Sequence, residues 1–173
     1  MSNKISIILC SFNEAKHIEN AIIQLEKHIP NLELVIVDDS STDGTIELLN
    51  KLNINKRFKL IVRKKSKGLA SAFFRGLIET TGDYIGWIDT NMGEVSEKFS
   101  EMISELNNNS DVVVLSRYVK GGGDERVFLR SMGSTGYPII PKLVVLTIRP
   151  ALFTKSYSIH FTALASVYFL ANF

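Results

Sequence analysis

Short apolar runs recur along this chain, and nearly all of them stop at a polar or charged residue. Ile5 to Cys10 gives way to Ser11-Phe12-Asn13-Glu14, and Leu32 to Val37 ends in Asp38-Asp39. Phe58 to Val62 is a further run of this kind, Tyr84 to Ile88 ends at Asp89, and Val112 to Ser116 leads to Arg117. Runs this short and this uniformly apolar fit strands covered on both faces. The stretches between them carry helical spacing instead: Ile18, Ala21, Ile22, Leu25 and Ile29; Ile46, Leu48, Leu49 and Leu52; Leu69, Ala72, Phe73, Gly76 and Leu77; and Ser96 to Leu106. Pro30-Asn31 and Thr81-Gly82-Asp83 punctuate the change from helix to strand, and Thr42 or Asp43 is placed to cap the second helix. Strand and helix alternating in this way predict an α/β fold with a doubly wound, mostly parallel sheet of Rossmann-like type.

Composition supports one folded unit of this kind. The 173 residues are 45% hydrophobic and 22% charged, a balance that buries a core. A formal net charge of +2 gives no basic face for a duplex, so nucleic acid is not an expected partner. The single cysteine, Cys10, excludes an intramolecular disulfide and a thiol-based metal site, which favours a reducing compartment. The first apolar run is too short for a secretory leader, so the expected location is cytoplasmic. From Leu143 to Phe173 the chain is mostly apolar and aromatic; its longest clean run, Phe161 to Phe173, falls short of the roughly 20 residues a spanning helix needs. It reads as a buried or interfacial segment. The expected division is a ligand-binding domain over residues 1–136 and a divergent apolar segment over 137–173.

In an open parallel sheet the ligand lies beyond the carboxyl ends of the strands, so the residues just after each strand carry the chemistry. Here those loops are Ser11 to Glu14, Asp38 to Asp43, Asp89 to Glu94, and Arg117 onward. Several acids and an arginine gathered on one edge suit a phosphate-bearing ligand accompanied by Mg²⁺ or Mn²⁺, because hard oxygens hold such cations and the cation neutralises the phosphates. The histidines His17, His28 and His160 lie on different elements without ligand spacing, and the glycines 121–123 lack the context of a P-loop.

The segments "IILCSFNEAKHIENAI", "LVIVDDSSTDGT", "KGLASAFFRGLIETTGDYIGWIDT" and "VVLSRYVKGGG" together resemble family 2 glycosyltransferases, in order and at plausible spacing. The branch they are most similar to is the dolichol-phosphate mannosyltransferase type, which loads a sugar onto a polyprenyl phosphate; Arg117-Tyr118, the glycines that follow, Arg130, Ser134 and Gly136 carry that part of the likeness. The resemblance spans about residues 4–136. It implies a GT-A-like fold and a hexosyltransferase that moves a sugar from GDP-mannose or a UDP-sugar to a polyprenyl or dolichyl phosphate with inversion, at the cytoplasmic face of a membrane.

The same resemblance implies roles for individual residues. Cys10, Phe12 and Glu14 would wrap the nucleoside, with Phe12 as an aromatic face and Glu14 as a carboxylate for ribose hydroxyls. Val37 and Asp39 would meet the base, Asp39 accepting from a ring N–H. Asp89, Thr90 and Asn91 stand at the family's Asp-x-Asp motif, with Asp89 and Asn91 as ligands of Mg²⁺ or Mn²⁺. Asp89, Arg117 and Arg130 form the catalytic set, the two arginines binding the acceptor phosphate through their guanidinium forks. Two departures bear on activity. Asn91 replaces an anionic ligand with a neutral amide, which predicts weaker metal affinity. Beyond Gly136 the acceptor-side motif of the family is absent, so a truncated or catalytically impaired relic is the alternative reading. A phospho-acceptor receiver domain is a more distant one, since "LVIVDD" resembles its acidic strand end; a receiver, however, carries that pair on its first strand rather than its second.

Overall fold

The computed structural model describes residues 3–65, 68–90, 98–108, 112–114 and 146–148. Ten elements follow in chain order: β1 (Ile5–Ser11), α1 (Ile18–His28), β2 (Leu32–Asp38), α2 (Thr45–Leu52), β3 (Lys59–Val62), α3 (Leu69–Leu77), β4 (Tyr84–Ile88), α4 (Phe99–Asn107), β5 (Val112–Val114) and β6 (Leu146–Ile148). They form one six-stranded sheet in the order β3-β2-β1-β4-β6-β5.

β1 lies between parallel neighbours and every one of its residues is buried, which explains why its sequence is apolar without alternation. Ile5 pairs with Leu32 of β2 on one side and Tyr84 of β4 on the other. Successive side chains still point to opposite faces, and the two faces have different cores. Ile7, Leu9, Leu34, Ile36 and Ile88 pack with Ile18, Ile22 and Leu25 of α1, Leu49 of α2, and Phe99, Met102 and Leu106 of α4. Ile8, Cys10, Val35, Val37 and Ile85 pack with Ala72 of α3, against which Phe73, Leu77 and Trp87 also lean. Burying each large aliphatic side chain contributes about 1.5–3 kcal/mol, so this two-sided core is what fixes the sheet.

Charged and turn-forming residues mark the helix ends. Glu19 in the first turn of α1 and Lys27 and His28 in its last oppose the helix dipole. Gly44, in left-handed backbone at φ 97°, is the N-cap of α2 instead of Thr42 or Asp43, and Asp43 just before it accepts the Thr45 amide on Oδ1 at 3.1 Å.

The sheet is doubly wound, with the switch of direction between β1 and β4. Its far side departs from a purely parallel arrangement. β6 is antiparallel to β4 through Ile85 and Ile148, and antiparallel to β5 through Val112 and Ile148. Thus Leu146–Ile148, from the apolar stretch that reads as a buried or interfacial segment, supplies a strand between β4 and β5. Among the described residues no helix is long and apolar enough to cross a membrane.

Candidate functional site

A cleft of about 320 Å³ opens beyond the carboxyl ends of β1, β2 and β4, at the switch point of the sheet. Cys10, Ser11, Phe12 and Glu14 line it from the end of β1, Asp39 from the end of β2, Asp89 from the end of β4, and Gly68, Leu69 and Ala72 from α3 and its approach. Strand direction alone brings these together, because each loop begins where a parallel strand stops.

The adjacent aspartates after β2 divide two tasks. Asp38 is fully buried, and its carboxylate accepts from the Ser11 hydroxyl at 2.7 Å, the Ser41 amide at 2.8 Å and the Ser41 hydroxyl at 2.6 Å. Its function is to tie the ends of β1 and β2 together. Asp39 turns toward the cleft and meets Arg63, the residue directly after β3. Arg63 Nε donates to Asp39 Oδ1 at 2.6 Å, and Nη2 pairs with the same oxygen. The Gly68 amide donates to Asp39 Oδ2 at 2.7 Å. Further Arg63 donors reach Ser71 Oγ at 2.8 Å and the Gly68 carbonyl at 3.1 Å.

The loops after β1 and β2 are bound to each other as well. The Asn13 amide donates to Ser41 Oγ at 2.8 Å, Asn13 Oδ1 accepts the Thr42 amide at 2.9 Å, and the Glu14 amide donates to Thr45 Oγ1 at 3.0 Å. Asn13 and Ser40 hold left-handed backbone at φ 58° and 61°, a conformation that costs of order 1 kcal/mol outside glycine and is retained here at the mouth of the cleft. The Ala15 amide binds Asp43 Oδ2. The Thr45 hydroxyl, foremost, holds the Asp43 carboxyl below its ordinary range. Cys10 is buried, and that burial pushes its thiol up to about 12 against the pull of Arg63. The thiol therefore stays protonated and unreactive, and Cys10 contributes a wall.

Among the residues singled out from sequence, Cys10, Phe12, Glu14, Asp39 and Asp89 share the cleft. Phe12 is 54% exposed, an aromatic face held at the rim. The Val37 side chain instead lies wholly within the core beneath α3, with Ile8 and Ala72. Thr90 is buried, its amide donating to Asp89 Oδ1 at 2.8 Å. Asn91, Arg117 and Arg130 lie outside the described residues. Arg63, Gly68, Leu69 and Ala72 were not anticipated. Arg63 had a signal in the sequence: like Asp39 and Asp89 it is a charged residue directly after an apolar strand.

A divalent cation fits the donor type at Asp89, an exposed hard carboxylate at the strand end. Among the described residues no three acidic, histidine or cysteine side chains gather into a site of their own. Such a cation would draw further ligands from phosphate and water, as Mg²⁺ usually does.

This is the topology of an α/β domain with an open, doubly wound sheet and a cleft at its switch point. The sequence profile of "Glycosyl transferase family 2" matches residues 6–164, and the chain belongs to that family. It is 34% identical over 149 residues to a dolichol-phosphate mannosyltransferase of Pyrococcus furiosus, covering 84% of this chain and 42% of that one. It is 31% identical to a cholesterol galactosyltransferase of Borreliella burgdorferi over 67% of this chain and 33% of the relative. The chain thus spans less than half the length of these curated relatives. In fold it is similar to a mannosyltransferase from Pyrobaculum calidifontis solved with GDP-Man and Mn²⁺ (TM-score 0.61, 20% identity, 88% of this chain and 46% of that one). The sheet and its flanking helices are those of GT-A glycosyltransferases.

Proposed function

We propose that the protein is a hexosyltransferase that takes a sugar from GDP-mannose or a UDP-sugar and passes it to a polyprenyl phosphate, at the cytoplasmic face of a membrane. The observation that carries this reading is the convergence of Phe12, Glu14, Asp39 and Asp89 on one cleft at the switch point of the sheet. An aromatic face and two carboxylates suit a nucleoside, and a third carboxylate on a separate strand suits its diphosphate with a cation. The identity to the dolichol-phosphate mannosyltransferase over most of this chain supports the acceptor.

In this reading Phe12 stacks on or flanks the nucleoside, Glu14 accepts from ribose hydroxyls, and Asp39 accepts from a ring N–H. Asp89, with Asn91, would hold Mg²⁺ or Mn²⁺, which would supply charge neutralisation for the diphosphate. Arg117 and Arg130 bind the acceptor phosphate. An oxygen of that phosphate attacks the anomeric carbon as the bond to the nucleoside diphosphate breaks, giving inversion. Because the nucleophile is already anionic near neutral pH, no side chain need remove a proton. Residues 1–136 carry the donor site.

Calorimetric titration with GDP and UDP, each with and without Mn²⁺, tests the donor site. Metal-dependent binding of either nucleotide is expected and would justify a transfer assay with polyprenyl phosphate. No binding of either would leave a family 2 fold without a donor site, the relic that Asn91 in the Asp-x-Asp position suggests.

A further inference from the structure

We infer that Arg63 is the positioning residue that gives Asp39 its selectivity for the base; this rests on the donor-site reading above. Arg63 and Asp39 are the buried ion pair of the described residues, with Asp39 only 7% and Arg63 9% exposed. Two Arg63 donors, Nε and Nη2, converge on Asp39 Oδ1. Oδ1 accepts from Nε and is in ion-pair contact with Nη2, so the guanidinium edge occupies this oxygen. Oδ2 accepts once, from the Gly68 amide at 2.7 Å, and so keeps one acceptor position. Asp39 therefore offers the cleft a single directed acceptor instead of a freely rotating carboxylate.

The guanidinium is itself immobilised. Nη1 is held by Ser71 Oγ and Nη2 by the Gly68 carbonyl, while the Arg63 main chain donates to the Asp38 carbonyl at 2.8 Å and accepts from the Ser40 hydroxyl at 2.6 Å. One side chain thus joins the ends of β2 and β3 to the start of α3. Gly68, at φ 123°, brings its amide to Asp39 through a backbone conformation that other residues rarely adopt. Gly68 and Leu69 are also walls of the cleft, so the Arg63 network sets both the direction of the acceptor and the shape of the wall facing it. The planar guanidinium lays Nε and Nη2 against one oxygen in a fixed orientation; a lysine ammonium would supply charge without direction.

The test compares wild type, Arg63→Met and Arg63→Gln, the last keeping one donor in the buried position in case Arg63→Met does not fold. Affinities for GDP and for UDP are measured with Mn²⁺, and thermal unfolding is followed alongside. The wild type is expected to prefer one nucleotide by about tenfold or more, an order set by one well-placed hydrogen bond. In the folded Arg63 variant that preference should shrink to within about threefold. A merely structural role would lower both affinities together and leave their ratio intact, and that result overturns the inference. A wild type that binds neither nucleotide, or both equally, would instead remove the base site and the inference with it.

Discussion

At the residue scale, single carboxylates in this chain work through the donors that surround them. Glu33, at the end of the sheet opposite the cleft, shows how this reads out in pH. Burial opposes its charge, but hydrogen bonds from Lys4, Ser6 and Thr81 outweigh that cost and hold the carboxyl at about 2, below the ordinary 4.5. The Lys4 ammonium is 2.8 Å from Oε1, and the Thr81 amide donates to Oε2 at 2.6 Å. A folded-state value below the unfolded one means that the stabilisation is present above about 4.5 and is lost as pH falls toward about 2. The melting temperature of wild type should therefore drop across that window more steeply than that of Glu33→Gln. Parallel curves for the two proteins would mean that the network does not favour the ionised form. Asp39 has a different vulnerability: Asp39→Ala would leave the Arg63 guanidinium buried and unpaired, so loss of nucleotide binding in that variant would be mixed with loss of stability.

At the element scale, α3 is the helix on which the cleft depends, and Gly76 sets how closely it approaches the sheet. A Cβ at Gly76 would sit 2.6 Å from Ile8 Cγ2 and 3.2 Å from Val37 Cγ2. Alanine in a helix interior gains about 1 kcal/mol over glycine by propensity. Overpacking a well-filled core costs about 1–3 kcal/mol, and here the nearer contact is a β-branched side chain in the central strand. The clash should win, so Gly76→Ala is expected to be less stable by about 1 kcal/mol in urea unfolding. A net gain would show that α3 lifts from β1 at little cost. Because Gly68, Leu69 and Ala72 line the cleft from the same helix and its approach, any such lift would also move the site's wall.

At the scale of the whole molecule, the far side of the sheet is held together by a strand remote in sequence, set between β4 and β5. β5 pairs with β6, and β6 with β4, so among the described strands β5 joins the sheet through β6. A chain ended after residue 136 would lack β6 and leave the edge of β4 and both sides of β5 open. Losing a few ladder hydrogen bonds at about 1 kcal/mol each predicts a truncated form less stable by about 2 kcal/mol or more, with a tendency to associate through the open edge. Urea midpoints and sedimentation of the two forms would check this. Equal stability would mean that residues 1–136 suffice for the fold.

The sequence by itself determined the alternation of strand and helix, because a strand covered on both faces must be apolar throughout and a helix on a sheet must repeat its apolar residues at 3.6. It determined the cleft's acids too: Glu14, Asp39 and Asp89 follow their strands, and parallel strands end on one edge. Element limits moved slightly, as with β3, which begins at Lys59 rather than Phe58, since local patterns fix the middle of an element better than its ends. Of the two adjacent aspartates the family resemblance singled out Asp39, and only the tertiary structure shows why it faces the cleft and Asp38 does not. Asp38 and Asp39 are chemically identical and differ in what lies across from them: serines from β1 and the β2 turn for one, an arginine from β3 for the other. The placement of Leu146–Ile148 between β4 and β5 is of the same kind. A three-residue apolar stretch has no partner written into it; the partner is chosen by which sheet edge is left unpaired when the rest of the chain has folded.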